Sequence, residues 1–299
     1  MEGKKIAVVG AGNMGHAIAR TSAVFGFEVV LMDENADALE AGILTIQDEI
    51  KKYFVGRGKM NDMEASVVLK RLRGTVKIEE AVTDTDLVIE AIFEDLNLKK
   101  RVFAELDRVC QPHTILASNT SYLSITGIAE ATKVPDRVIG MHFFNPPDVN
   151  ILVEVAPGLL TSEETVARAM HILKIMGKVP MRVKDTPGFV VNRFINKIYS
   201  EAATLVMNGI ATAEDIDTAV KLALGFRLGP CEMMDYSGLD IIVQSMGKDL
   251  EAKGIYLIQK MVDAGRYGRK NGKGFYDYSP NVSKKLADLS NVVGKIISK

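Results

Sequence analysis

The sequence predicts an α/β protein in two parts. A doubly wound parallel sheet carrying a helical hairpin occupies residues 1–184, and an all-helical part occupies residues 185–299. Three observations predict this. Short apolar runs alternate with helix-spaced segments through the first half, the pattern of parallel β-α-β units. A glycine-rich turn, VVGAGNMG, closes the first apolar run and opens the first helical segment. After VKDTPGFVVNR the strand signals nearly stop and helical spacing takes over.

Taken in order, KIAVVG is the first strand and MGHAIARTSAVFG the first helix, closed by Gly26. EVVLMD is the second strand. Residues 35–73 then break the rhythm: two charged helices joined by GRGK stand where a single crossover helix would serve. Such an excursion is either a lid or binding arm, or a solvated helical hairpin. Further strands are expected at DLVIEAI, TILASN, RVIGMHFF, ILVEVA and VPMRV, with helical patterns such as LNLKKRVFAELDRVC between them. The boundary between the parts is placed near Asp185, with Pro187 and Gly188 as hinge. Helices are expected at 190–208, 213–224 and 238–264, and the tail VSKKLADLSNVVGKIISK is helical in period.

Bulk properties exclude several classes. Hydrophobic residues make up 47% and charged residues 25% of the 299, as in ordinary globular proteins. The net charge of −1, without a basic block, points away from nucleic acid and anionic membranes. No apolar run approaches the roughly 18 residues of a membrane-spanning helix. A strand beginning by residue 5 leaves no room for a targeting peptide. Cys110 and Cys231 are far apart and lack metal-type spacing, so no metal is expected and a reducing, cytoplasmic setting is.

Gly10, Gly12 and Gly15 form a GxGxxG pattern directly after a strand and directly before a helix, the context of a Rossmann-type nucleotide site. Gly10 permits the tight turn, Gly12 lets the backbone approach a pyrophosphate, and Gly15 allows close helix–strand packing. Asn13 and Met14 complete the same turn at the helix N-terminus, where phosphate is attracted. The second strand ends at Asp33, 18 residues past Gly15. A carboxylate there accepts both ribose hydroxyls and repels a 2′-phosphate, which favours NAD over NADP. FAD shares the fingerprint and stays open.

Ligands of such sheets bind at the carboxyl ends of the strands. That edge gathers Glu94 and Lys99 after LVIEAI, SNTS (residues 118–121, with Asn119 and Ser121) after TILA, and His142 after VIGM. Spacing alone makes Glu94 and Lys99 a solvated helix start.

His142 and Glu154 are the candidate chemical pair. Oxidising an alcohol requires a base for the hydroxyl proton, and a neutral imidazole suits that task. A carboxylate on its other nitrogen fixes the tautomer and stabilises the imidazolium. The two residues flank the turn NPPDVN, and adjacent antiparallel strands would bring them together. The alternative for a lone histidine is a satisfied core residue. The other three histidines, His16, His113 and His171, show no matching carboxylate in the sequence.

ASNTS, GMHFFNP, LVEV, DTPGFVVNR, GPCEMMDYSGLD and GKGFYDY together resemble the 3-hydroxyacyl-CoA dehydrogenase family, most closely its stand-alone (S)-3-hydroxybutyryl-CoA dehydrogenases. The resemblance spans nearly the whole chain. It implies reversible, NAD-dependent oxidation of (S)-3-hydroxyacyl-CoA, with His142 as acid/base, Glu154 as its partner, and Ser121 and Asn192 bonding the substrate oxygen. It implies Asp33 at the adenosine ribose, Glu94 and Lys99 on the nicotinamide side, and Asn119 among the cofactor contacts. It makes the hairpin a CoA arm with Lys52 near its cationic position. It further implies a site at the domain interface and a homodimer formed through the helical part. Tyr122 departs from the family, which commonly has a small residue after SNTS. Two other readings stay open: a dehydrogenase of small sugar acids such as gulonate on the same fold, and a non-enzymatic, crystallin-like role.

Overall fold

The apolar runs form a single eight-stranded sheet in the computed structural model, which describes residues 5–246 and 254–278. The strands are β1 (Lys5–Val9), β2 (Glu28–Met32), β3 (Leu72–Thr75), β4 (Leu87–Glu90), β5 (Ile115–Ser118), β6 (Val138–Phe143), β7 (Leu152–Pro157) and β8 (Val179–Arg182). Their order is β3-β2-β1-β4-β5-β6-β7-β8. The first six are mutually parallel; β7 runs antiparallel to β6, and β8 runs parallel to β7. Chain progression reverses between β1 and β4, which opens the switch-point crevice where such sheets bind ligands.

Among the described residues seven α-helices accompany the sheet: α1 (Asn13–Val24), α2 (Ala36–Glu49), α3 (Asp62–Lys70), α4 (Ile78–Ala81), α5 (Leu96–Val109), α6 (Ile125–Ala129) and α7 (Glu163–Ile175). Strand side chains alternate between faces. Ile6, Val8, Leu31 and Ile89 pack in one buried cluster with Ile18, Ile46, Val68 and Ile172 of the helices. Ala7, Val9, Val30 and Val88 pack in the other with Ile78, Phe103, Leu106 and Ile125. The inner strands are therefore apolar on both faces, as covered parallel strands are.

Two details differ from expectation. The hairpin has the two expected helices, and α2 continues as a π-helical turn, Ile50–Val55. However, Leu39, Ile46, Ile50, Ala65 and Val68 lie in the core cluster, so the hairpin is solvated on one side only. Its end, LRGT, is the edge strand β3, which the sequence reading missed. An edge strand is covered on one side only, so a mixed stretch with two exposed residues can fill it. Pro180 in β8 sits at the opposite edge, where a missing N–H is tolerated.

The chain divides into two compact units, Met1–Val190 and Val191–Lys299. The second contains α8 (Val191–Met207), α9 (Ala213–Leu224), α10 (Pro230–Ser237), α11 (Leu239–Met246) and α12 (Ile255–Asp263). Within the helix expected over 238–264, α11 and α12 are seen, while residues 247–253 lie outside the described residues, as does the tail from 279 onward. α10 was not anticipated. Tyr199, Ala203, Ile216, Met234, Leu239 and Ile258 form this unit's core. Buried Asp235 accepts the Phe275 and Tyr276 N–H groups and the Tyr278 hydroxyl, which pins GKGFYDY to α10. Among the described residues no helix is long and apolar enough to cross a membrane.

Candidate active site

The glycine turn is built as its spacing requires. Gly10 has φ +103°, and a Cβ there would lie 2.7 Å from the Ala91 carbonyl oxygen. A Cβ on Gly15 would lie 1.7 Å from the Gly10 oxygen, so the start of α1 packs directly on the turn. A Cβ on Gly12 would meet nothing within 4 Å. That open space faces the start of α1, which has no side-chain cap and no acidic residue in its first turn. Unsatisfied N–H groups beside an open volume suit a phosphate. Asn13 and Met14 are the first two residues of that helix. Asp33 follows β2, and its carboxylate accepts the Ala11 N–H at 2.8 Å and the Asn35 N–H at 3.0 Å. It braces the glycine turn from the position where an adenosine ribose would need an acceptor. These residues fit NAD.

The SNTS loop leaves β5 and is held by Glu94. One carboxylate oxygen of Glu94 accepts the Ser121 N–H at 3.0 Å, the Tyr122 N–H at 3.1 Å and the Thr120 hydroxyl. Glu94 is therefore no idle helix-start residue. Asn119 accepts the Phe143 N–H at 2.9 Å through Oδ1, tying the loop to the end of β6. Lys99 is buried, with its ammonium 2.6 Å from Glu90 and 3.5 Å from Glu94. Glu90, fully buried at the end of β4, was not singled out from the sequence. Its signal was available: one carboxylate inside the apolar run LVIEAI, as Glu154 stands inside LVEV.

His142 and Glu154 are paired residues of the antiparallel β6–β7 ladder. Directly opposed residues put their Cβ atoms about 5 Å apart, on one face. Glu154 Oε2 lies 2.8 Å from His142 Nδ1, and Glu154 Oε1 accepts the Val190 N–H at 3.0 Å. Both side chains are buried, Glu154 completely. On the other side of the ring, Nε2 lies 3.0 Å from the Ser121 hydroxyl. With the carboxylate accepting at Nδ1, that nitrogen carries the proton and Nε2 presents its lone pair toward Ser121. Phe144 meets the ring edge-on at 4.5 Å between centroids, and Phe189 tilts against it at 5.6 Å. Phe189 has φ +44°, a costly conformation for a bulky side chain, in contact with the reactive ring.

The remaining residues fall elsewhere. Lys51, Lys52, Arg57 and Lys59 are all exposed where the hairpin helices meet. The Tyr53 ring lies 5.2 Å from the Lys52 ammonium and 5.0 Å from the Arg57 guanidinium. Asn192 is the second residue of α8, in the helical unit. His16 does have a carboxylate nearby, contrary to the sequence reading: Glu49 lies 3.8 Å from its Nε2. Burial nevertheless holds its imidazole below the ordinary value, and Arg20 adds to the shift. Among the described residues no group of His, Cys, Asp and Glu could hold a metal ion.

Comparison with known proteins agrees with this geometry. Residues 5–186 match the NAD-binding domain of 3-hydroxyacyl-CoA dehydrogenase, and residues 188–278 match its C-terminal domain. A probable 3-hydroxybutyryl-CoA dehydrogenase of Bacillus subtilis is 44% identical over 95% of this chain and all of its own length. The 3-hydroxybutyryl-CoA dehydrogenase of Clostridioides difficile is 41% identical over 92% of this chain and 99% of its own. The crystal structure of (S)-3-hydroxybutyryl-CoA dehydrogenase from Ralstonia eutropha superposes with a TM-score of 0.88 at 37% identity, covering 93% of this chain and 99% of that one. With both domains matched in order, and a dinucleotide turn and a histidine–glutamate pair carried by one sheet, the chain belongs to the 3-hydroxyacyl-CoA dehydrogenase family, whose members are NAD-dependent oxidoreductases.

Proposed function

We propose that the substrate is a short-chain (S)-3-hydroxyacyl-CoA, 3-hydroxybutyryl-CoA foremost, oxidised reversibly to the 3-ketoacyl-CoA with His142 as the acid/base. The observation that carries this is the continuous chain Glu154–His142–Ser121, with contacts of 2.8 and 3.0 Å. His142 Nε2 takes the C3 hydroxyl proton, and Glu154 stabilises the imidazolium that results. Ser121, already hydrogen-bonded to Nε2, holds the substrate oxygen against the base, and Asn192 bonds the same oxygen. Bound NAD supplies the hydride acceptor. In reduction His142 returns the proton.

Gly10, Gly12, Asn13, Met14 and Gly15 hold the pyrophosphate and Asp33 the ribose. Glu94, Lys99 and Asn119 shape the nicotinamide side, Glu94 and Asn119 by fixing the SNTS loop. Lys52 and its neighbouring cations take the CoA phosphates. The enzyme works in the cytoplasm as a homodimer formed through the helical unit. Support for the dimer comes from exposed apolar side chains there, with Leu222 82%, Phe194 70% and Ile210 67% exposed. The two cysteines stay unpaired, as in a reducing compartment.

NADH oxidation is to be followed with acetoacetyl-CoA and with free acetoacetate, and NAD reduction with a sugar acid such as gulonate. Turnover with the CoA ester alone is expected. Turnover with the sugar acid and none with the ester would sink the proposal. A sedimentation mass near that of a single 32.7 kDa chain would remove the dimer.

A further inference from the structure

We propose that Glu90 is a positioning residue for Ser121: a buried carboxylate that sets the catalytic serine loop through two separate hydrogen-bonded routes. The inference rests on the role given to Ser121 above.

Glu90 is the last residue of β4, the strand beside the switch point, and is fully buried. A buried carboxylate is tolerated only when its oxygens are satisfied, ideally by an opposite charge. Both oxygens of Glu90 are satisfied. Oε1 accepts the Lys99 ammonium at 2.6 Å and the Ile92 N–H at 2.7 Å. Oε2 accepts the Ser118 hydroxyl at 2.7 Å.

The first route runs through charge. Lys99, itself buried, reaches the Ile92 carbonyl at 3.3 Å and Glu94 Oε2 at 3.5 Å. The other oxygen of Glu94 receives the backbone N–H groups of Ser121 and Tyr122. The second route runs through the strand end. Ser118, fixed by Glu90, accepts the Thr120 N–H at 3.3 Å, one residue before Ser121. Both routes end on the SNTS loop, the first at the Ser121 N–H and the second one residue before it, and the Ser121 hydroxyl lies 3.0 Å from His142 Nε2. Without the Glu90 charge, Lys99 has Glu94 as its remaining carboxylate. The ammonium then draws Glu94 inward, off the Ser121 and Tyr122 N–H groups. A loss of order 1 Å at a hydrogen-bonded oxygen is enough to cost up to ~100-fold in rate.

A double-mutant cycle tests this. Glu90→Gln is expected to lower kcat with acetoacetyl-CoA about 10- to 100-fold, with the NADH dissociation constant changed less than about threefold. In a Ser121→Ala background the same substitution is expected to cost less than about twofold, since the group it positions is gone. Equal losses in both backgrounds would overturn the proposal, as would an unchanged kcat in folded Glu90→Gln. Should Glu90→Gln not fold, Ser118→Ala keeps the ion pair and cuts the second route alone. It is expected to cost about threefold or more with Ser121 present and nothing without it, and any other pattern overturns the proposal. Ser121→Ala measured alone keeps the two readings apart: if it turns over like the parent, the serine's own role is wrong, whatever Glu90 does.

Discussion

His142 and Glu154 stand directly opposite each other in the β6–β7 ladder, and Nδ1 meets Oε2 at 2.8 Å. The sheet itself therefore fixes the pair, since base and carboxylate both sit on strands. His142→Gln and Glu154→Gln are each expected to lower kcat by roughly 10²- to 10⁴-fold, the range of lost acid–base help. NADH affinity should stay near the parent's. Glu154→Gln keeps an acceptor for the Val190 N–H, so the variant should fold. A folded His142→Gln enzyme at full turnover would end the assignment.

The glycines of the turn should separate folding from binding. Gly15→Ala places a Cβ 1.7 Å from backbone oxygen and should destabilise the chain by about 3 kcal/mol, the upper range of overpacking. Gly12→Ala meets nothing in the protein and should leave the melting temperature nearly unchanged while weakening NADH binding. Thermal melts alongside fluorescence titrations with NADH read both. If Gly12→Ala binds NADH like the parent, the open space is not the phosphate site.

Asp33 should set cofactor choice. Asp33→Ser with Glu34→Arg removes a carboxylate and adds a cation at the exposed neighbouring position. NADH use should weaken and NADPH use improve, because a 2′-phosphate then meets attraction in place of repulsion. Some stability is lost too, since the Ala11 and Asn35 N–H groups lose the carboxylate that accepts them. A parent that already prefers NADPH in side-by-side kinetics contradicts this reading.

The hairpin cations should act on CoA binding. Lys52→Ala is expected to raise the KM for acetoacetyl-CoA and flatten its salt dependence, with kcat changing less. Lys51, Arg57 and Lys59 are equally exposed and extend the scan. Silence at all four positions would leave the hairpin as a packing element, since Ile46, Ile50 and Val68 bury its inner face.

The thiols should be inert in the native protein. Burial pushes the Cys110 thiol up to about 12, and burial with nearby Asp217 raises Cys231 as well. A raised thiol value means that the reactive thiolate is scarce at pH 8. Dithionitrobenzoate should therefore label neither cysteine until denaturant is added, and activity should survive the reagent. Rapid native labelling at pH 8 would contradict the burial.

The sequence by itself determined the alternation of strands and helices, the glycine turn with Asp33, and the helical second part. Each of these is local: period, glycine spacing and turn chemistry act over a few residues. It also marked His142 and Glu154, because a charged or titratable residue inside an apolar run must have a partner. It offered each as the other's partner but left a satisfied core histidine open, and the antiparallel pairing of β6 with β7 is what brings the two together. The edge strand β3 escaped notice because one neighbour suffices to define an edge strand and polar residues can fill it. Glu90 escaped because its partners, Lys99 and Ser118, lie nine and 28 residues away and meet it only where β4, β5 and α5 converge. Side-chain pairing across elements depends on register and packing direction, and those exist only once the sheet has closed around its two apolar faces.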